Sequence, residues 1–197
     1  MTDLNEQVLD EARQYGETLT TRELLLLIER DHPGAGVDEE TLAAYDEAIA
    51  DDDVLPFAEG HLRSSVDENL VTDDQWRDAD TYYDVGDGRI SLFPKRWHDR
   101  LADSDDLREY VTIIEAASAD EDSAADLPRG GNGTGVPESL LLDAMIAIDG
   151  IDREAAKERL ERERRDGDLV QDADQHPDAR VYLSEEAEEM RDDWLDY

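Results

Sequence analysis

Cysteine is absent from this 197-residue chain, which excludes disulfide scaffolds, zinc–thiolate centres and thiol nucleophiles. Lysine is almost absent as well, Lys95 and Lys157 being the only two. No apolar run approaches the ~20 residues that a membrane span requires, so no membrane contact is expected. Residues 1–14 are acidic and polar, without a cationic stretch followed by an apolar one; no secretory signal is expected, and the expected location is cytoplasmic. The histidines His32, His61, His98 and His176 are scattered and lack the spacing of metal ligands. Gly-x-Ser-x-Gly elements, dinucleotide fingerprints and phosphate loops ending in Lys-Ser/Thr are all missing. These absences argue against an enzyme and against a bound metal or cofactor.

What the chain has in excess is acid. Asp and Glu number 55 against 19 Lys and Arg, a formal net charge of −36. The carboxylates are spread along the chain rather than gathered in a tail, and 39% of the residues are hydrophobic, so a packed core is expected rather than disorder. In dilute buffer such a chain repels itself; in molar salt the Debye length falls to about 3 Å and the repulsion is screened. Evenly spread acid, with arginine in place of lysine, resembles the cytoplasmic proteins of salt-in halophilic archaea. On that reading the net charge reports the solvent, and neither admits nor excludes a nucleic-acid partner. A mesophilic acidic protein that binds a basic partner is the alternative.

Apolar periodicity predicts a mostly helical α+β fold. Helical spacing covers 3–14, a segment from Thr20 or Thr21 to Arg30, and 39–50 with Asp38 as its N-cap. The run 54–57 reads as a short strand. Residues 64–80 are weakly patterned, with Val66, Leu70, Val71 and Trp76 as expected anchors. A β-hairpin is expected at 82–92 around Gly86-Asp87-Gly88, and Pro94 opens a short helix to Leu101. In the second half, 107–118, 137–148 and 152–166 are helical, the last capped by Asp152 and stopped by Gly167. Residues 119–135 form an acidic, then glycine-rich loop. Strands at 169–171 and 180–183 flank a turn containing Pro177, and Ser184 caps a terminal helix bearing Met190 and Trp194. The expected division is a helical first domain with a hairpin, 1–103, and a second domain, 104–197. No internal repeat is evident beyond a loose likeness of the halves.

Helix, helix, turn, helix and hairpin, in that order, describe a winged helix: one helix faces the major groove and the wing touches the neighbouring backbone. Residues 107–183 resemble archaeal winged-helix modules, in particular the small C-terminal winged-helix domain of minichromosome maintenance helicases. The likeness rests on Val136-Pro137-Glu138, Gly150-Ile151-Asp152, Leu160 and Arg165-Asp166-Gly167-Asp168-Leu169-Val170. There a charged helix passes through glycine and acid into the wing. Glu163 departs from the pattern, standing where that family usually buries a leucine. The resemblance implies a winged helix over 106–193, and the earlier hairpin suggests a second, winged-helix-like domain in the first half.

With Ala156 and Leu160 inward, Arg159, Arg162 and Arg165 are expected on an outward face. There they would pair with phosphates or reach base edges of double-stranded DNA, with Arg180 and His176 as the wing contacts. Residues 152–166 hold six basic and six acidic side chains, so pairing along the helix surface is the competing account. A second patch lies at 89–100, where Arg89, Lys95, Arg96 and Arg100 face only Asp99 and interleave with Phe93 and Trp97. Lys95, Arg96, Trp97 and Arg100 suit a single strand through stacking and neutralisation, or an acidic protein partner; equally, Phe93 and Trp97 would be core. The functional expectation is a non-enzymatic, DNA-associated protein of transcriptional regulation or replication. The competing class is a protein-interaction adaptor, with Phe93, Trp97 and the Met190/Trp194 helix as contact surface or homodimer seam.

Overall fold

The structure is a computed structural model in which residues 4–102, 104–118, 135–171 and 179–185 are described. It is α+β and mostly helical. Helix α1 (Glu6–Tyr15) starts at Asn5, whose side chain accepts the Gln7 amide, and turns Val8, Leu9 and Ala12 inward. A 3-10 turn (Gly16–Thr18) leads to α2 (Thr21–Arg30). Thr20 and Glu23 cap α2 reciprocally, which satisfies two amides that a helix start leaves unpaired. Residues 24–28 are all apolar and all buried. A helix that is apolar all round must be covered all round, and α2 is: it packs against α1 and, across the molecule, against α7 (Glu138–Asp149).

Strand β1 (Val37–Asp38) runs into α3 (Glu39–Ala50), Asp38 accepting the Thr41 amide at 2.8 Å. Next come α4 (His61–Asn69), β2 (Leu70–Val71), the hairpin β3 (Tyr82–Gly86) and β4 (Arg89–Ser91), and α5 (Lys95–Leu101). The sheet order is β1-β4-β3-β2. Two expectations fail here. Residues 54–57 are turn and coil rather than a strand. The weakly patterned stretch begins inside α4, whose cap is Gly60 without a side-chain bond, so neither capping nor strong periodicity announced the helix. Leu70, expected as an anchor, is 37% exposed on the sheet edge. Trp76 is buried, stacked on Phe93 and Trp97 with centroids 5.7 and 5.4 Å away.

The second half contains α6 (Leu107–Ser118), β5 (Val136–Pro137), α7, α8 (Arg153–Asp166), β6 (Leu169–Gln171) and β7 (Arg180–Leu183), with sheet order β5-β7-β6. The loop at 119–134, the hairpin tip at 172–178 and the helix expected beyond Glu185 lie outside the described residues. Buried residues of the two halves form one continuous apolar cluster.

The halves repeat one plan. Elements α2-β1-α3-α4-β3-β4 and α6-β5-α7-α8-β6-β7 follow the same order, and the strands β1-β4-β3 and β5-β7-β6 lie in the same sequence. The register agrees residue by residue: Val37 faces Ile90 and Asp38 faces Arg89, as Val136 faces Val181 and Pro137 faces Arg180. Arg89 donates to the Gly36 carbonyl at 2.7 Å, and Arg180 donates to the Gly135 carbonyl at 2.5 Å. A side chain at either glycine would collide with the hairpin: a Cβ at Gly36 would lie 2.8 Å from the Ile90 carbonyl oxygen, and one at Gly135 within 2.7 Å of the Tyr182 ring. Gly36→Ala also forces a side chain onto a φ of +65°, and is expected to cost about 2–4 kcal/mol from strain and overpacking together. Gly88→Ala, at a φ of +70° with open space around it, carries only the conformational part, about 1–2 kcal/mol. Chemical denaturation of the two variants measures the difference, and equal losses would show that the hairpin does not constrain Gly36.

Candidate nucleic-acid interface

Helix α8 is bounded by its own sequence. Asp152 accepts the Ala155 amide at 2.8 Å, and Gly167 ends the helix at a φ of +93°, a conformation that glycine adopts without steric cost. Ala156 and Leu160 are buried, as their spacing predicts. The three arginines do not share one face. Arg159 is 16% exposed and turned inward: it donates to Asp149 at 2.6 Å and to the Ser104 carbonyl at 2.9 Å, with its guanidinium 5.8 Å from the centre of the Tyr110 ring. Asp149 also accepts the Tyr110 hydroxyl at 2.6 Å. The helical repeat explains the correction. Residues three apart step back by about 60°, so three of them span about 120° of the helix. Arg159 falls at the edge of the buried stripe, while Arg162 and Arg165 rotate out to solvent and have no ion pair or hydrogen bond among the described residues.

Burial raises the carboxyl of Asp149 above its usual range, against the pull of Tyr110 and Arg159, and burial raises the Tyr110 hydroxyl as well. Arg180, expected on the wing surface, is 7% exposed. It heads the central strand β7, where its guanidinium reaches the Gly135 carbonyl, the same position Arg89 holds in the first half. His176 lies outside the described residues. Glu163 is half-buried at the rim of α8.

The second patch also divides. Trp97 is 2% exposed and stacks on Phe93 with centroids 5.3 Å apart, so it belongs to the core and offers no face to a base. Lys95 holds both oxygens of Asp99, at 2.5 and 2.6 Å. Arg96 and Arg100 point outward and line a groove of about 400 Å³ with Arg108 of α6.

A buried polar cluster escaped the sequence reading. Glu29, at the buried end of α2, accepts the Ser91 hydroxyl at 2.5 Å and the Leu92 amide at 3.1 Å, and His98 Nε2 lies 2.8 Å from Ser91 Oγ. In a nucleophilic relay the imidazole stands between acid and hydroxyl. Here the hydroxyl stands between acid and imidazole, and Ser91 is wholly buried, an arrangement that ties α2, β4 and α5 together. Burial pushes the Glu29 carboxyl up to about 7 and the His98 imidazole down to about 4. The only sequence signal was a glutamate at the end of an otherwise apolar run.

Among the described residues no group of three His, Asp or Glu is placed to hold a metal ion, and no helix is long and apolar enough to cross a membrane. No family model matches the chain, and no curated protein or solved structure matches it significantly.

Proposed function

We propose that the chain is a non-enzymatic, DNA-associated protein made of two winged-helix modules in tandem, working in the salt-rich cytoplasm of a halophilic archaeon. The reading is supported by the repeated order of helix, strand, two helices and hairpin, with the first strand beside the last. The observation that carries it is α8: the third helix of its module stands at the surface and presents Arg162 and Arg165 without a carboxylate partner among the described residues. Glu154, Glu158 and Glu161 share that surface. In molar salt their repulsion of phosphate is screened within about 3 Å, which leaves short-range contacts to decide binding. Arg159 and Arg180 take no part, being committed inside the protein.

The test is duplex binding across a KCl titration, wild type against Arg162→Ala/Arg165→Ala. The affinity is expected to fall about tenfold or more, and the salt slope to shrink by about 2, because each phosphate contact contributes roughly one counterion. Binding that is absent from the wild type, or equal in the variant, would end the proposal.

A further inference from the structure

We propose that the groove between α5 and α6 docks an acidic, amphipathic segment of a protein partner. Arg96 and Arg100 stand four residues apart on the outer face of α5, a like-charge spacing that destabilises a helix on its own. Asp99, the acid on the same helix, does not relieve them, because Lys95 holds both its oxygens. A third guanidinium, Arg108, enters the same groove from α6 and reaches Glu185 only at 3.9 Å.

Two carboxylates also line the groove, and both accept hydrogen bonds from neutral donors rather than from the guanidiniums. Asp106 accepts the Arg108 amide at 2.9 Å, and Glu109 accepts the Ser104 hydroxyl at 2.5 Å. In a chain of net charge −36, three guanidiniums against two carboxylates leave the lining of this groove with a local excess of one positive charge. Its floor is apolar, formed by Ile113 and Ala116 of α6 and Leu183 at the end of β7. Guanidiniums at the rim and aliphatic carbon below match a helical segment with carboxylates on its flanks and apolar side chains at i, i+3 and i+4. A phosphate backbone would meet the arginines but leave the floor unfilled, and the inward Trp97 removes the stacking that a single strand needs. The groove is built without Arg162 and Arg165, so the proposal stands apart from the DNA reading.

The probes are a labelled synthetic peptide with Leu at i, i+3, i+4 and i+7 and Glu between them, its Glu→Lys counterpart, and an unlabelled DNA duplex. Anisotropy on the full chain is expected to show saturable binding of the Glu peptide alone. Arg96→Glu/Arg100→Glu is expected to weaken it at least tenfold, and Arg162→Ala/Arg165→Ala to leave it unchanged. Ala116→Glu, at an exposed position of the floor, blocks the groove without touching the arginines and is expected to weaken binding to a similar degree. Circular dichroism reports the folding of each variant. The proposal is overturned by a Glu peptide that does not bind saturably, by undiminished binding to folded Arg96→Glu/Arg100→Glu or Ala116→Glu, or by a duplex that displaces the peptide and loses its own binding in the Arg96→Glu/Arg100→Glu variant, which would make the groove a phosphate site.

Discussion

Arg159→Ala is expected to lower the unfolding free energy by about 3–5 kcal/mol, the loss that follows when one partner of a buried ion pair is removed. Asp149 would keep the Tyr110 hydroxyl but lose the guanidinium at 2.6 Å, and the Ser104 carbonyl would lose its donor. These contacts join α6, the end of α7 and α8, so the loss falls on the packing of three helices at once. Arg162→Ala and Arg165→Ala, at exposed positions without partners among the described residues, are each expected to change stability by less than about 0.5 kcal/mol. Denaturant unfolding at one fixed KCl concentration measures all three. A loss below about 1 kcal/mol for Arg159→Ala would mean that this arginine is not held inside. The same three variants separate stability from DNA binding, since only the two exposed arginines are assigned to the duplex.

The contributions of Glu29 and His98 to stability are expected to cancel between pH about 4.5 and 6.5, and each single substitution to remove one side of that balance, with slopes of opposite sign relative to the wild type. Glu29 titrates near 7 in the fold against an ordinary 4.5. Its contribution is fully present below 4.5 and is lost as pH rises through 7. His98 titrates near 4 against an ordinary 6.5, so its contribution is present above 6.5 and is lost as pH falls through 4. Between these limits the unfolded chain carries one proton on histidine, the fold carries one on Glu29, and the proton counts cancel. Glu29→Gln removes one side of the balance: its stability relative to the wild type should improve by roughly 3 kcal/mol from pH about 4.5 to about 8, at 1.36 kcal/mol per pH unit. His98→Gln should show the reverse slope from pH about 6.5 down to about 4. Urea titrations across this range provide the measurement. Parallel curves for wild type and Glu29→Gln would mean that Glu29 is ionised in the fold like a surface carboxylate.

Much of the second half was legible because its punctuation is local. Asp152 and Gly167 bound α8, Gly150 ends α7 at a φ of +65°, and short apolar runs mark β6 and β7, whereas the two-residue β5 carries no such signal. In the first half the threonine cap of α2 and the N-cap at Asp38 served equally well. Helix α4 was missed because its sequence is polar and its cap is a glycine with no side-chain bond; what holds it is the burial of Leu62 and Val66 and the donation of the Leu62 amide to Asp46 at 2.9 Å, from α3. The repeat of the two halves showed in the sequence only as a loose likeness because it is written in few letters, a Gly-Val pair before each third element and an arginine opening each last strand, while the remaining positions diverged.

Residue type and spacing alone determined that this chain carries neither thiol chemistry nor a membrane-length apolar run, that α3 and α8 start and stop where they do, and that Ala156 and Leu160 face a core. Tertiary structure decided which cations are available. Arg159 and Arg180 are as charged as Arg162 and Arg165, and nothing in their neighbours distinguishes them. A guanidinium is drawn inward only where a carboxylate or a carbonyl from another element stands within reach, and the position of Asp149 or Gly135 is set by how helices and strands distant in the chain come together.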